Sequence, residues 1–436
     1  MKKLILAIST ILCASSFCFA AVDKEVIPNL SLEECLNIAL NNHPSLKKAK
    51  GSVRAATSAI EQAKTSNRVK VNLTGSENYS GNYDYWDESY YTHRVGINAS
   101  KTIYDTGVNK LNREIQKLNR DSALDSERQT QVSVAASAKK AYYDLVLKIL
   151  NRNVENEKLT NLEEHLKNAK GMHEVGYSAY IDVTKAEAEL ANARVSLLKS
   201  ENDILIAKEA LKVAMGLSEY DTFNLVLTTE LLMPSSVGDF EQLLNIAMND
   251  RADYQRILHT MKQHELSVTL AARDSSPTLT GSLATNLTKR EDVSTATDYS
   301  AAINLNVPLY DGGMTKSKIE SARAQLDQDQ ADEESLRQTI THDIRSAVLT
   351  LLNAIDRAKS SELSVKYAEE NLSLAQGRYE VGVGGSLEVS DAVSTLASSK
   401  YALYQALYDA QIARTSLDEA MGHFPIELTT EVEGSY

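Results

Sequence analysis

Apolar and polar residues alternate along a stretch near residue 300, and helical spacing begins directly after it. The alternating apolar positions are Ala301, Ile303, Leu305, Val307 and Leu309. A period of two predicts a strand. Past the corner Asp311-Gly312-Gly313, apolar residues recur at helical spacing, at Met314, Ile319, Ala322 and Leu326. The corner therefore predicts a strand-to-helix joint, in which glycine frees the backbone and Asp311 caps the helix.

The same joint occurs 206 residues earlier in the chain (303 minus 97). The first copy contains Ile97, Asn98, Tyr104, Asp105 and Gly107, and the second contains Ile303, Asn304, Pro308, Tyr310, Asp311, Gly312 and Gly313. Other segments repeat as well: 240–249 resembles 32–41, 279–282 resembles 73–76, and 417–422 resembles 211–216. Self-similarity along the whole chain indicates a tandem duplication.

Each repeat is predicted to run helix, hairpin, long helix, helix. The first repeat, 21–216, opens with a capping box at Ser31 and Glu34, and has a hairpin over about 69–104 and helices over about 108–170 and 182–215. A turn is expected at 171–178, and a linker with a short strand at 225–229 fills 217–238. The second repeat, 239–422, has a hairpin over about 278–310 and helices over about 314–376 and 388–421, before a tail at 423–436.

The predicted long helices exceed what one domain core can cover. At 1.5 Å per residue, roughly 63 residues extend about 95 Å, whereas ordinary helices average near 12 residues. Such a helix must lie beside others, as in a coiled coil. Six prolines and 18 glycines among 436 residues fit a chain of long helices.

Residues 1–20 predict a secretory signal peptide, with Lys2 and Lys3 before an apolar core and Cys18-Phe19-Ala20 as the cleavage site. Beyond this leader only Cys35 remains, on an apolar helical face, where we expect it to be buried. A lone cysteine excludes an intrachain disulfide and a cysteine–zinc site. The histidines lack metal-ligand spacing, and no catalytic constellation is present, so neither an enzyme nor a cofactor is expected.

The net charge of −13 argues against nucleic acid as a partner. The hairpins, in contrast, suit a membrane. Their outward positions are apolar (Val71, Leu73, Ile97, Leu279, Leu283, Ile303, Leu305), and their inward positions are polar (Asn72, Thr74, Asn98, Thr280, Asn304, Asn306). Tyrosines clustered between 79 and 91 fit a membrane–water interface, or an exposed hairpin of a soluble protein.

Four strands cannot close a barrel, and an open edge is not viable in lipid. Several copies of the chain would therefore share one barrel. Two copies would give eight strands with a filled interior, and three would give twelve strands around a channel.

Three motifs carry a family resemblance: Pro308-Leu-Tyr-Asp-Gly-Gly313, the segment from Arg378 to Val389, and its first-half counterpart from Glu174 to Val183. On these motifs the chain resembles the TolC-like family of outer-membrane efflux proteins. The resemblance implies a mostly helical homotrimer, with a shared 12-stranded barrel in the outer membrane and a coiled-coil tunnel in the periplasm. It implies a passive exit duct for tripartite efflux pumps and type I secretion, joined by a periplasmic adaptor to an inner-membrane transporter of the RND, ABC or MFS type.

The resemblance also assigns functional positions at the far end of the helices. The adaptor docking tip would comprise Val175, Gly176, Arg378, Val381, Gly382 and Ser386. The periplasmic gate would comprise Asp182, Tyr379, Glu388 and Asp391. The family's gate arginine is replaced by Gly384, which predicts a looser or differently fastened gate. Helix-ending glycines and helix N-terminal acids are the plain alternatives.

A second functional class fits the same patterns. A secreted, surface-exposed coiled coil could use tyrosine-rich hairpins to bind a host or matrix surface. Such a structural or adhesive protein would be soluble without detergent, whereas a membrane channel would require detergent.

Overall fold

The computed structural model describes residues 26–27, 31–82, 85–217, 222–223, 231, 233–234, 238–290 and 294–423. The predicted signal peptide, the strand expected at 225–229 and the tail from 424 onward lie outside the described residues. The strands are β1 (Val26–Ile27), β2 (Lys70–Asn82), β3 (Tyr85–Tyr104), β4 (Thr222–Phe223), β5 (Thr278–Arg290) and β6 (Ala296–Asn306). The helices are α1 (Leu32–Asn42), α2 (Pro44–Thr65), α3 (Val108–Glu174), α4 (Tyr180–Met215), α5 (Phe240–Asp250), α6 (Ala252–Ala272), α7 (Met314–Glu380) and α8 (Ser386–Ala420).

The main sheet is antiparallel, with strand order β2-β3-β5-β6. Its register pairs Val71 with Ala99, Ala99 with Leu283, and Leu283 with Ala301. Because side chains alternate across a strand, this register places the predicted apolar positions on one face. It places the Asn and Thr positions on the other face. The mostly helical fold with four antiparallel strands is therefore confirmed.

The helices form two rows of four that share α3 and α7. Next to the sheet the order of neighbours is α2–α3–α6–α7, and beyond the middle of the chain it is α4–α3–α8–α7. α3 and α7 each contain 67 residues and run through both rows. At 1.5 Å per residue each is about 100 Å long. Every layer is thus an open row, with β2, α2 and α4 at one edge and β6 and α7 at the other.

A band of buried side chains, which we call the equator, joins the two rows. In the first repeat it contains Tyr142, Leu145, Leu211 and Met215, with α1 packed against them. In the second repeat Ile340, Ile344, Leu417 and Met421 form the matching cluster. Cys35 is fully buried here, and burial raises the pKa of its thiol to about 12. The capping box predicted at Ser31 and Glu34 begins α1.

Several element ends differ from the expected ones. α3 continues through Gly171 to Glu174, since tertiary packing on α4 outweighs the weak helix propensity of one glycine. α8 begins at Ser386, two residues earlier than expected. β6 ends at Asn306 rather than near 310, because Pro308 lacks the N–H that a strand pairing requires. Among the described residues, no helix is long and apolar enough to cross a lipid bilayer.

At the equator, two glycines allow the end of one helix to pack directly against the backbone of another segment. Gly216 ends α4 with a φ of 69°, and a Cβ there would lie 2.7 Å from the Cα of His43. Gly422 follows α8 with a φ of 72°, and its Cβ would lie 2.9 Å from the Cα of Arg251. Each repeat therefore uses a left-handed glycine to seat the end of its last helix on the junction of the helix pair that opens the same repeat.

Replacing Gly216 or Gly422 with alanine is expected to destabilise the equator by about 2–4 kcal/mol, because a left-handed backbone and a contact with backbone atoms both oppose the methyl group. Thermal unfolding followed by circular dichroism would measure the loss. Gly377→Ala is the matched control, since Gly377 lies inside α7 with open space around it. That control should be stabilised by up to about 1 kcal/mol. Equal melting temperatures for all three variants would contradict the assignment.

Candidate functional site

The far end of the helices, which we call the tip, consists of the α3–α4 and α7–α8 turns with the adjoining helix ends. Both turns have the same geometry. Gly176 has a φ of 79° and Gly382 a φ of 75°. The Tyr177 N–H donates to the carbonyl of Met172, and the Val383 N–H donates to that of Arg378. These bonds form a Schellman motif in each repeat.

The turns are open to solvent. Val175 and Val381 are exposed, and so is Tyr177, which lies between Val175 and α4. A Cβ on Gly176 or Gly382 would meet no atom within 4 Å. Backbone conformation alone therefore requires these glycines, and a partner could approach both turns closely. An exposed apolar patch of this kind is typical of an interaction site.

Gly384 lies close against Arg378, so a side chain there would be tightly packed. Its Cβ would lie 3.0 Å from the Cβ of Arg378 and 3.1 Å from the backbone nitrogen of Tyr379. The Gly384 N–H also donates to the Arg378 carbonyl at 2.9 Å. An arginine here would require Arg378 to shift by a few tenths of an ångström.

Beneath the turns, a buried polar cluster joins three helices. The Nε2 atom of His165, on α3, lies 3.0 Å from the Oγ atom of Ser386 on α8. The His165 ring packs on the ring of Tyr379 from α7, with the centroids 5.3 Å apart. His165 is 3% exposed and Tyr379 is 5% exposed. The Nδ1 atom of His165 and the hydroxyl of Tyr379 have no hydrogen-bond partner within the described part of the chain.

Burial determines the protonation of this cluster. It lowers the pKa of His165 because the buried imidazolium would lose its hydration, and the charges of Glu189 and Asp182 on α4 only partly oppose this effect. Burial also raises the pKa of Tyr379, with Asp182 adding to the shift. At neutral pH the cluster therefore holds a neutral imidazole and a neutral phenol.

The remaining predicted gate acids lie on the surface of α8. Glu388 pairs with Arg378 at 3.2 Å, so the structure joins a residue predicted for docking with one predicted for the gate. Both side chains are about half exposed, and such a pair stabilises by at most about 1 kcal/mol. Asp391 follows one turn later and is exposed, with no ion pair among the described residues.

The structure brings together Asp182, Tyr379 and Ser386 around His165, which the sequence analysis did not select. Leu162, His165 and Ala169 are all buried at helical spacing on α3. A lone histidine on an otherwise apolar helix face was the available signal. It is weak because most such histidines are ordinary core residues.

The strand-to-helix joints are built alike. Asp105 Oδ1 accepts the Gly107 N–H at 3.0 Å, and Asp311 Oδ1 accepts the Gly313 N–H at 2.9 Å. Each aspartate also accepts an N–H from the first turn of the following helix. At the first joint, the Arg273 guanidinium donates to the Thr106 carbonyl beside Tyr104. At the second joint Tyr310, Gly312 and Gly313 are exposed, and no group of the described chain covers them.

A sheet with one apolar and one polar face, extended by helices of about 100 Å to an exposed tip, is the arrangement expected of a channel-type transport protein. Comparison with known families agrees with this class. The chain belongs to the outer membrane efflux protein family, whose model matches residues 35–217 and 243–423. The two matched segments correspond to the two repeats.

Relatives cover nearly the whole chain. Outer membrane protein TolC of Vibrio cholerae is 24% identical over 401 residues, which is 90% of each chain. The cation efflux system protein CusC of Escherichia coli O157:H7 is 20% identical over 394 residues, covering 88% of this chain and 84% of CusC. The chain is thus an efflux channel protein of the outer membrane, and not an enzyme.

Solved structures share the fold. A crystal structure of CusC superposes with a TM-score of 0.77 at 17% identity, covering 91% of this chain and 92% of the other. The open state of the Neisseria gonorrhoeae MtrE outer membrane channel gives a TM-score of 0.72 at 17% identity, covering 90% and 89%.

Proposed function

We propose that three copies of the chain close into one duct, which serves as the outer-membrane exit of a tripartite efflux pump or a type I secretion system. The observation that carries the proposal is the open row. In the sheet and in both helix rows, one edge element at each side lacks a neighbour within the described chain. A row with two unlike edges closes only when the first edge of one copy meets the second edge of the next.

The edges are suited to such contact. The outer side of α4 exposes Val195, Leu198 and Leu205, and that of α7 exposes Leu363, Tyr367 and Leu374. Large apolar surfaces of this extent on a helix face favour burial against another chain. β2 and β6 likewise carry unpaired backbone groups along their outer sides, which is unfavourable for a strand in lipid.

The directions of the elements agree with ring closure. Neighbouring elements alternate up and down within each row. The strands are antiparallel, short turns join α3 to α4 and α7 to α8, and each hairpin joins a helix that runs to the sheet to one that runs away from it. Placing β6 of one copy beside β2 of the next continues the alternation, and the same holds for α7 beside α2 and α4. Three copies give twelve strands, a number that leaves an aqueous channel, whereas eight would be filled by side chains.

At the tip, the duct would meet its partners. The exposed turns at Val175–Gly176 and Val381–Gly382, with Arg378 and Ser386 beside them, would receive a periplasmic adaptor that couples the duct to an inner-membrane transporter. Asp182, Tyr379, Glu388 and Asp391 would form the gate. Threefold repetition of Asp391, together with Glu388 once its pair with Arg378 separates, would concentrate negative charge at a narrow entrance and favour cations. Adaptor contact would open the gate by loosening the tip helices.

Light scattering of the purified mature protein, with and without detergent, tests the ring. We expect a detergent-dependent particle with the mass of three chains, because the apolar sheet face requires a lipid substitute. Planar-bilayer recordings of that particle should then show discrete conductance. A single soluble chain would refute the shared barrel and the duct together.

A further inference from the structure

The two free edges of the helix row next to the sheet, α2 and α7, carry opposite charges. α2 contains five basic residues and one acid, which are Lys47, Lys48, Lys50, Arg54, Lys64 and the acid Glu61. Residues 320–334 of α7 contain six acids and one base, which are Glu320, Asp327, Asp329, Asp332, Glu333, Glu334 and the base Arg323. The inner helices differ: 114–128 of α3, which corresponds to 320–334 by the repeat offset, has four acids and three bases. The charge separation is confined to the edges.

The charges form stripes that point away from the chain's own helices. Leu46, Val53 and Ile60 face α3, so the opposite side of α2 presents Lys47, Gly51, Arg54 and Ser58. On α7, Glu320, Asp327, Ala331 and Glu334 share the side opposite Asp329, which faces α6. Lys47, Arg54, Glu320, Asp327 and Glu334 are exposed, and none forms an ion pair within the described residues.

The chain holds an internal template for the contact between copies. Duplication maps α3 onto α7 and α6 onto α2, so the α3–α6 contact inside a chain corresponds to the α7–α2 contact between copies. Within the chain, His259 Nδ1 lies 2.8 Å from Asp125 Oδ2. The helix pairs are offset by 208 residues (240 minus 32) and the long helices by 206, so positions 259 and 125 map onto 51 and 331.

The mapped register aligns the charges. At the centre of the contact, Gly51 faces Ala331, and these two small residues allow close approach where the template has a histidine and an aspartate. Because the helices run antiparallel, Lys47 falls level with Glu334, and Arg54 with Asp327. Glu61, the one acid of α2, falls level with Arg323, the one base of the α7 segment, to within about one helical turn.

From this geometry we infer that α2 of one copy docks on residues 320–334 of α7 in the next copy, in a seam whose opposite charges fix the register of the ring. The inference rests on the proposed ring. It adds the surface, the register and the residues that decide them. Paired charges of this kind contribute modestly one by one but exclude misaligned or like-edge pairings, where equal charges would meet.

A cysteine pair tests the register. In Gly51→Cys/Ala331→Cys, mild oxidation should link neighbouring copies into a covalent ring with the mass of three chains on a reducing-sensitive gel. Gly51→Cys/Glu320→Cys is the matched control, since position 320 lies 11 residues along the same stripe, or about 16 Å away. Cys35 is buried and should not interfere.

Charge reversal tests the electrostatic part. Lys47→Glu/Arg54→Glu should lower the association constant of each seam by roughly tenfold, because like charges then face each other. Adding Asp327→Lys and Glu334→Lys should restore it. If the wild type forms a particle of three chains but Gly51→Cys/Ala331→Cys fails to cross-link, or if the reversed charges are not rescued, the seam is overturned and the ring stays intact. A single-chain wild type would overturn the ring itself.

Discussion

Replacing Leu283 with arginine is expected to abolish stable insertion of the protein into the outer membrane. Leu283 lies on β5 in the middle of the apolar face, between Ala99 and Ala301 on the neighbouring strands. An arginine facing lipid at mid-depth costs about 2–4 kcal/mol per chain, and three chains would share one barrel. The amount of folded, membrane-extracted protein measures the effect.

Ala284→Arg is the matched control for this substitution. Ala284 is the next residue on the same strand, and its side chain lies on the polar face opposite Asn98 and Ser300. An arginine there would remain in water, so we expect near-normal amounts of inserted protein. Equal loss in both variants, or in neither, would contradict the assignment of the two faces.

Acidification is expected to loosen the tip through His165. The pKa of its imidazole is lowered by burial in the packed tip, so the packed tip binds fewer protons than a loosened one between that pKa and the ordinary value near 6.5. The packing is therefore at full strength above about pH 6.5 and weakens as the pH falls through the lowered pKa. The charges of Glu189 and Asp182 soften this effect, while the raised pKa of Tyr379 keeps its phenol neutral.

Cysteine labelling measures the loosening directly. Ala186→Cys places a thiol beside the buried side chains of Ala169 and Val183, where α3 and α4 pack at the tip, and Tyr177→Cys places one on the exposed turn as a reference for reagent chemistry. The ratio of the two labelling rates should rise between pH 7.5 and pH 5.5, by at most about tenfold, which is the limit that an ordinary pKa near 6.5 sets. The same ratio should stay constant in His165→Gln, which cannot be charged.

Two further variants separate charge from packing in this experiment. His165→Phe keeps a ring against Tyr379 and should also remove the pH response. His173→Gln changes an exposed histidine of the same tip, which bonds to the Ser178 carbonyl, and should leave the response intact. A pH response that persists in both His165 variants would assign it to another group.

The fold could be read from the sequence because its signals are local and occur twice. Alternation, helical spacing and the Asp-Gly corners each depend on neighbouring residues. Because the sequence is duplicated, each of these patterns occurs once in each repeat. The tip turns could be predicted for the same reason, since a helix that ends in a left-handed residue requires a glycine directly after its last turn.

The contacts between distant segments could not be read in this way. His165 lies 214 residues before Tyr379 (379 minus 165), and nothing in either segment indicates that their rings meet. The Arg378–Glu388 pair and the contact of Gly216 with His43 likewise exist only after the helices have packed. Such contacts depend on the rotation of each helix about its axis, which spacing alone does not determine.

The equator also has a mechanical consequence. α3 and α7 cross it without a break, whereas every helix beside them is interrupted there. Each long helix can therefore tilt as one rigid body about the glycine contacts at 216 and 422, which act as the pivot. The tip lies about 50 Å from that pivot, because α4 spans 36 residues. A tilt of about 5° would displace the tip by about 5 Å, close to the pitch of one helical turn. Because the equator lies near the middle of α3, such a rigid tilt would displace the sheet end by a similar distance in the opposite direction, so movement of the tip is coupled to the strands.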